Sequence, residues 1–370
     1  MSVTQKLIVK ITSAFISIMF FIIVVSNVIG SERATYSKGK EKYVAEVLIR
    51  FTPGFWNPKH GQPGPYQLSI YEEGTLSGPP SISVDRWGNI YILDAGNYRI
   101  QKYDSKGKFL SSIGIDAGKR RSGSDFCIDK HGNIYILDTN PGISSYYMDY
   151  LDLRGSSKGK KLYEIRQYNQ KGMLIHKAYF LFSHDWLKKT GIIPQKIYVD
   201  YKENLYLGYN SKLCRIGFSS GKSDILEVKE ILEGIPSPYD STLSFYLGEK
   251  LVDKHRIHVR KLDAQRKTIK SFDLIVNENV SGMEFLGNDN NMNSYLAISK
   301  YISSGNIKYY DSFWEIRKID KSGTSIVRID NLPVSSTFCC RKDKAIDRKG
   351  NIYYLSIKRN GGELIKWYKQ

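Results

Sequence analysis

Ser81-Ile82-Ser83-Val84-Asp85-Arg86-Trp87-Gly88-Asn89-Ile90-Tyr91-Ile92-Leu93-Asp94 returns 44 residues further on as Asp125-Phe126-Cys127-Ile128-Asp129-Lys130-His131-Gly132-Asn133-Ile134-Tyr135-Ile136-Leu137-Asp138. A third copy runs from Ala345 to Leu355 and a decayed one from Ile197 to Leu207. Each copy reads as a hairpin: an apolar strand closes with Asp, Gly-Asn supplies the positive φ of a tight turn, and a strand of alternating apolar and aromatic residues follows. After the first copy, Tyr98 to Asp104 predicts a third strand, Ser105 to Lys108 a turn and Phe109 to Gly114 a fourth strand. The unit is therefore a four-stranded meander. Its second half recurs as Glu164 to Gly172 and as Glu315 to Gly323.

Spacing extends the count. Asp85 and Asp129 stand 44 residues apart, Asp129 and Asp200 71, and the 147 residues from Asp200 to Asp347 leave room for two more units. Divergent units are expected around Ser241 to Phe272 and Ser281 to Val327, which makes an all-β, six-bladed β-propeller of four-stranded antiparallel blades. Tyr43 to Phe51 is strand-like and precedes the first full unit. Pairing it with the last blade would close the ring and remove the open sheet edges.

The pattern Val84-Asp85, Gly88-Asn89-Ile90-Tyr91, Asp94, Asn97, Arg99-Ile100, Tyr103-Asp104 and Gly107 resembles the NHL repeat, and the chain is similar to exported bacterial six-bladed propellers built from it. The resemblance implies a fold and not an activity. Propellers of this family serve as platforms for protein, RNA or carbohydrate, and a few branches are enzymes, lyases and lactone hydrolases that hold a central metal with His, Asp, Asn or Glu. No such ligand set can be mapped residue by residue onto this chain.

Lys6 and Lys10 precede an apolar stretch from Ile11 to Ile29, the pattern of a signal segment. Val28 and Gly30 suit cleavage before Ser31, while the length approaches that of a bilayer span, so a cleaved signal and a retained anchor both stay open. Either one predicts export, to a periplasmic or cell-surface location. The domain reading is a signal or anchor helix over 1–30, an extension with the ring-closing strand over 31–66, and the propeller over 67–370. Between strand and propeller, Pro53, Phe55, Trp56, Pro58, Pro63 and Pro65 make an irregular segment that fits no repeat phase.

The 370 residues hold 55 Lys plus Arg against 37 Asp plus Glu, a formal net charge of +18, so anionic polymers or anionic membrane faces should be attracted. The basic residues are spread along the chain with no arm or basic helix, which argues against nucleic acid. Cys127, Cys214, Cys339 and Cys340 have no zinc-like spacing; Cys127 reads as a buried small hydrophobe, and a vicinal disulfide at Cys339 and Cys340 is disfavoured by strain.

Two insertions stand out on the face where second and third strands are joined. Thr139 to Lys161 carries Tyr146, Tyr147, Tyr150, Arg154, Lys158, Lys160 and Lys161, and Tyr301 to Asp311 carries Lys308, Tyr309 and Tyr310. This aromatic and basic mix suits stacking on sugars or clamping an acidic partner, against the plainer reading of solvated loops. Asp85, Asp94, Asn97 and Arg99 are expected to serve the turns and strand ends instead. His255 and His258 are spaced for opposite faces of a strand, and no nucleophile elbow or His-Glu-x-x-His motif occurs. No metal-ligand set and no cofactor is expected from these patterns, although a metal in the central channel stays open. The expectation is a monomeric, non-catalytic binding module for a protein, peptide or anionic glycan, with membrane association through Ile11 to Ile29. A metal-dependent lyase or lactone hydrolase is the alternative, and a structural part of an envelope assembly a third reading.

Overall fold

The computed structural model describes residues 37–39, 41–54, 67–69, 81–115, 124–138, 160–183, 189, 194–209, 212–217, 228–233, 235–236, 245–253, 255–262, 267–277, 279–302, 311–333, 342–358 and 361–370. Among them, no helix is long and apolar enough to cross a membrane. The expected signal or anchor at Ile11 to Ile29, the aromatic segment from Phe55 to Pro65, and Cys339 and Cys340 lie outside these residues.

The described strands form six small antiparallel sheets, the architecture of an all-β propeller. The first comprises Ser81–Val84, Ile90–Asp94, Arg99–Tyr103 and Phe109–Gly114, in that order. The second runs Asp125–Ile128, Ile134–Asp138, Lys160–Tyr168, Leu174–Ser183, and the third Lys196–Val199, Leu205–Tyr209, Lys212–Ile216, Val228–Glu233. The fourth is Ile235–Pro236, Phe245–Asp253, Arg256–Leu262, Thr268–Ile275, and the fifth Asn279–Asn288, Ser294–Ile302, Asp311–Ile319, Ser325–Pro333. Lys344–Ile346, Ile352–Lys358 and Gly361–Lys369 begin the sixth. Inner strands touch their neighbours in chain order, except that the fifth sheet's inner strand meets the second strand of the fourth, and the inner strand of the sixth sheet returns to the first, where Ile82 N donates to Lys342 O at 2.8 Å.

The divergent sheets differ in extent from the sequence expectation. The fourth spans Ile235 to Ile275 and has only two residues in its inner strand; the fifth spans Asn279 to Pro333. Two pieces of the N-terminal extension are woven in. Tyr43–Gly54 pairs antiparallel with Gly361–Lys369, from Tyr43 opposite Lys369 to Phe51 opposite Gly362, and Gln67–Ser69 adds beside it in parallel. Ser37–Gly39 adds to the outer strand of the fifth sheet, opposite Val327 to Ile329. Pro53 thus sits in an outer strand beside Leu68.

Apolar side chains on both faces of each sheet pack against the neighbouring sheets. Ile49 and Phe51 of the added strand join Ile82, Val84, Ile90 and Ile92 of the first sheet with Tyr353 and Leu355 of the sixth. Cys127, in the second sheet, is buried with Ile197, Val199 and Cys214 of the third, as a small hydrophobe would be. Burial pushes the Cys127 thiol well above its ordinary range and the Cys214 thiol up to about 12.

Each hairpin turn is built around its aspartate. Asp85 Oδ1 accepts Trp87 N and Asn89 N, both at 2.9 Å, while Oδ2 accepts Asn89 Nδ2 at 2.8 Å and the Tyr91 hydroxyl at 3.1 Å. The constellation repeats at Asp129, Asp200 and Asp347. It also occurs at Asp289, with Asn293 and Tyr295, a copy the sequence reading passes over because Met292 occupies the glycine position at φ 62° and Asn288 and Ser294 replace the apolar residues that flank the other turns. Burial, reinforced by the adjacent carboxylate, raises the pKa of Tyr91 and Tyr353 far above the phenol range, so these hydroxyls remain donors.

Two turn glycines separate backbone strain from packing. At Gly88, φ is +87° and an added Cβ would meet only Ser105 Cβ at 3.7 Å; at Gly350, φ is +82° and it would collide with the Tyr295 hydroxyl. Gly88→Ala is expected to cost about 1–2 kcal/mol, the left-handed penalty, and Gly350→Ala a further ~1–3 kcal/mol for overpacking. Equal shifts of the two urea midpoints would show that the Tyr295 contact does not matter.

Candidate functional site

Antiparallel meanders place two kinds of connection at opposite ends of the ring. The aspartate turns between first and second strands, and the turns between third and fourth, lie at one end; second-to-third and sheet-to-sheet connections lie at the other. At that second end the inner strands begin. The residue opposite the fourth position after each turn asparagine is polar there: Ser81 opposite Leu93, Asp125 opposite Leu137, Lys196 opposite Gly208, Glu284 opposite Ala297, and Asp343, whose carbonyl accepts Leu355 N. Inner strands rich in Ile and Val therefore carry a polar side chain at the channel mouth, buried at Ser81, Asp125, Lys196 and Asp343 and half-buried at Glu284.

These groups are joined by Lys342 and Lys344, and two of the resulting ion pairs link different sheets around the axis. Lys196 of the third sheet reaches Glu284 of the fifth, with Nζ and Oε1 2.5 Å apart. Lys342, at the start of the sixth sheet, spans to the second and third: its ammonium is 3.3 Å from Asp125 Oδ2, and donates to Phe126 O at 2.8 Å and Ile197 O at 3.4 Å. Asp125 also accepts the Ser81 hydroxyl at 2.5 Å and Ile197 N at 2.9 Å. Lys344 pairs with Asp343 and lies 3.7 Å from the centroid of the Trp314 ring, a cation–π contact. Burial opposes ionisation of Glu284, but the Lys196 ammonium, helped by Lys344 and Lys342, outweighs it and holds the carboxyl below its ordinary value of 4.5. Burial likewise opposes charge on Lys196, and Glu284 reverses the balance and raises its pKa.

Glu284, Lys342 and Lys344 border a cavity of about 90 Å³ on the axis, lined also by Ser83, Cys127 and Tyr198. That is room for a few water molecules. The chemistry on offer is ammonium and carboxylate already joined to each other, beside a thiol that burial keeps protonated.

Of the residues expected to bind a partner, Tyr146, Tyr147, Tyr150, Arg154, Lys158, Lys308, Tyr309 and Tyr310 lie outside the described residues. Lys160 and Lys161 do not belong to the second-to-third connection of the second sheet: they open its third strand, opposite Ser183 and Phe182, because the strand extends four residues before the expected start at Glu164. Asp94 accepts Arg99 Nε at 2.7 Å and Asn97 Nδ2 at 2.9 Å, so these three hold the strand end as expected. His258 contacts Asp273 on the neighbouring strand at 2.6 Å, and His131 in its turn contacts Glu203 at 2.9 Å. Among the described residues, no three His, Cys, Asp or Glu side chains converge as a metal site would require. The channel residues were the part of the site that sequence reasoning missed. Their signal was present: Ser81, Asp125, Lys196 and Asp343 each stand four residues before a repeat aspartate, interrupting an apolar strand.

Fold and site together define an all-β propeller whose axis is crossed by ion pairs at the loop-bearing mouth. No family model matches the chain, and no curated protein matches it. Among solved structures it is similar to a protein of unknown function from Bacteroides caccae, at 15% identity and a TM-score of 0.41 over 70% of this chain and 83% of that one. It is also similar to virginiamycin B lyase from Staphylococcus aureus, at 11% identity and a TM-score of 0.37 over 81% and 97% of the two chains. A luciferin-regenerating enzyme gives 12% identity and a TM-score of 0.40 over 78% and 90%.

Proposed function

We propose that the six sheets are NHL-type blades of an exported six-bladed propeller, and that this propeller is a non-catalytic binding module for a protein, peptide or anionic glycan. The observation that carries this reading is the pairing at the channel mouth. Asp125, Glu284 and Asp343 are each held by a lysine ammonium, so the carboxylates best placed to ligate a metal or accept a substrate proton are already committed. Such cross-axis pairing rigidifies the ring and suits a scaffold whose loops do the recognising. Export rests on Lys6, Lys10 and the apolar stretch to Ile29, and an anionic partner on the net charge of +18.

Elemental analysis of the purified protein, paired with thermal unfolding with and without a chelator, tests the proposal. The expected result is no stoichiometric metal and the same transition in both conditions. A metal retained at one per chain, whose removal lowers the transition, would sink the scaffold reading and favour a metal-dependent lyase or lactone hydrolase.

A further inference from the structure

The end of the ring opposite the ion-paired mouth is a face of turns. Its aspartates are folded inward: Asp85, Asp129, Asp200, Asp289 and Asp347 are all buried beneath the turn amides they accept. The side chains turned outward are of the other sign. Arg86, Lys106, Lys171, Lys202, Arg348 and Lys349 are exposed. Glu203 is exposed as well but is engaged by Lys130 and His131, and the half-buried Asp104 and Asp320 accept amides of their own turns. Two large aromatics stand out among these cations. Trp87 is 52% exposed with the Arg86 guanidinium 4.3 Å from its ring centroid, and Tyr201 is 41% exposed with the Lys130 ammonium at 5.0 Å. Neighbouring turns are tied to one another, by Lys130 Nζ donating to Tyr201 O at 3.3 Å and Asn290 N donating to Arg348 O at 2.8 Å, so the face is preformed. Cations beside Trp and Tyr on a preformed surface are the composition of a bilayer interface.

The path of the chain is compatible with that orientation. Tyr43, the first residue of the ring-closing strand, donates its hydroxyl to Gly350 O at 3.1 Å in the last aspartate turn, and Gln370 N donates to Lys42 O at 3.1 Å, so the chain enters the ring at the turn face. Upstream, Ser37–Gly39 is docked on the outer strand of the fifth sheet and runs toward the turn face, from Ser37 opposite Ile329 to Gly39 opposite Val327. Gly30 to Tyr36 would therefore have to double back past about four residues of that strand to bring the apolar stretch to a bilayer at the turn face. Seven residues span at most about 25 Å. Ile11 to Ile29 as a helix would be about 28 Å long, close to the ~30 Å of a hydrocarbon core. A retained stretch would therefore hold the turn face within reach of the headgroups.

We propose that the turn face of the propeller rests on a membrane surface bearing anionic phospholipid headgroups. The orientation leaves the opposite mouth, with its second-to-third connections, directed away from the bilayer toward a partner. It extends the exported-scaffold reading without depending on whether the channel is catalytic.

The test takes the exported full chain as isolated, in phosphatidylcholine vesicles with or without phosphatidylglycerol and with a lipid nitroxide at headgroup depth. The signal of Trp87 is obtained by difference against Trp87→Phe. Quenching of Trp87 in the anionic vesicles alone is expected. At about fivefold per basic residue lost, Lys202→Glu, Arg348→Glu and Lys349→Glu combined should weaken that association at least about 100-fold, and Lys202→Glu alone should weaken it severalfold if the triple variant fails to fold. An unquenched Trp87, equal quenching in neutral vesicles, or association with a soluble sulfated glycan that the same reversals abolish while Trp87 stays unquenched would each overturn the proposal. None of these outcomes bears on the metal test above.

Discussion

A chain lacking residues 1–54 is expected to lose cooperative folding, and Phe51→Ala in the full chain to cost about 3–5 kcal/mol. The reason is where Tyr43–Gly54 sits. It pairs along Gly361–Lys369, so the first described long strand of the chain completes the last sheet. Its buried residues, Tyr43, Val44, Ala45, Ile49 and Phe51, are shared between sheets, and Phe51 meets Tyr103 of the first sheet edge to face at 6.3 Å between centroids. Without the strand, Gly361–Lys369 becomes an open edge and the seam between the first and sixth sheets loses one wall. Urea unfolding followed by far-ultraviolet circular dichroism checks both variants. A peptide covering 41–54, added to the truncated chain, should restore a cooperative transition. A truncated chain that unfolds at the full-length midpoint would show that the ring is held elsewhere.

The hairpins were readable because their chemistry is local. An aspartate that accepts the amide four residues on, an asparagine that reaches back to it, and a residue at positive φ, glycine in three copies and Glu203 in the decayed one, all fall within five residues and are flanked by apolar positions, so the four copies and their blade spacing were visible in the sequence. Where the apolar flanks are replaced as well, the reading faltered. At Asp289 the geometry survives with Met292 in the left-handed position and Asn288 and Ser294 beside the turn, and the copy went unread. In the fourth sheet the described inner strand is Ile235–Pro236 and the sequence that follows carries no copy of the Asp-x-x-Gly-Asn pattern, so only interval length betrayed its existence. The channel was harder because its partners are remote in sequence. Lys196 and Glu284 belong to different sheets, and Lys342 meets Asp125 from the far end of the chain; only closing the ring brings them together. In the fifth sheet, an irregularity between Phe285 and Gly287 moves the polar position to Glu284, so even a search by fixed offset would have found Phe285 there.

The channel pair supplies the second large effect. Lys196→Met is expected to cost about 3–5 kcal/mol at neutral pH, because it leaves Glu284 buried without its closest counter-charge. Lys342 and Lys344 still face that carboxylate and keep the loss from growing further. The sign of the pH dependence follows from the direction of the shift. Glu284 has a folded pKa below its ordinary 4.5, so in the native chain its pairing contributes stability that is full above that value and is lost as pH falls through the folded pKa. In Lys196→Met that contribution is gone at every pH. The difference in unfolding free energy between native chain and variant should therefore be largest near neutrality and shrink steadily below about pH 4.5 as Glu284 takes up its proton. Glu284→Leu combined with Lys196→Met should recover most of the loss, since two apolar side chains of similar volume replace the pair without stranding a charge. Urea unfolding of the native chain, the single variant and the double variant at pH 7 and pH 4 measures all three quantities. A difference that does not change with pH, or a double variant no more stable than Lys196→Met, would mean that the lysine acts through packing of its methylene stem instead of through the carboxylate it meets across the axis.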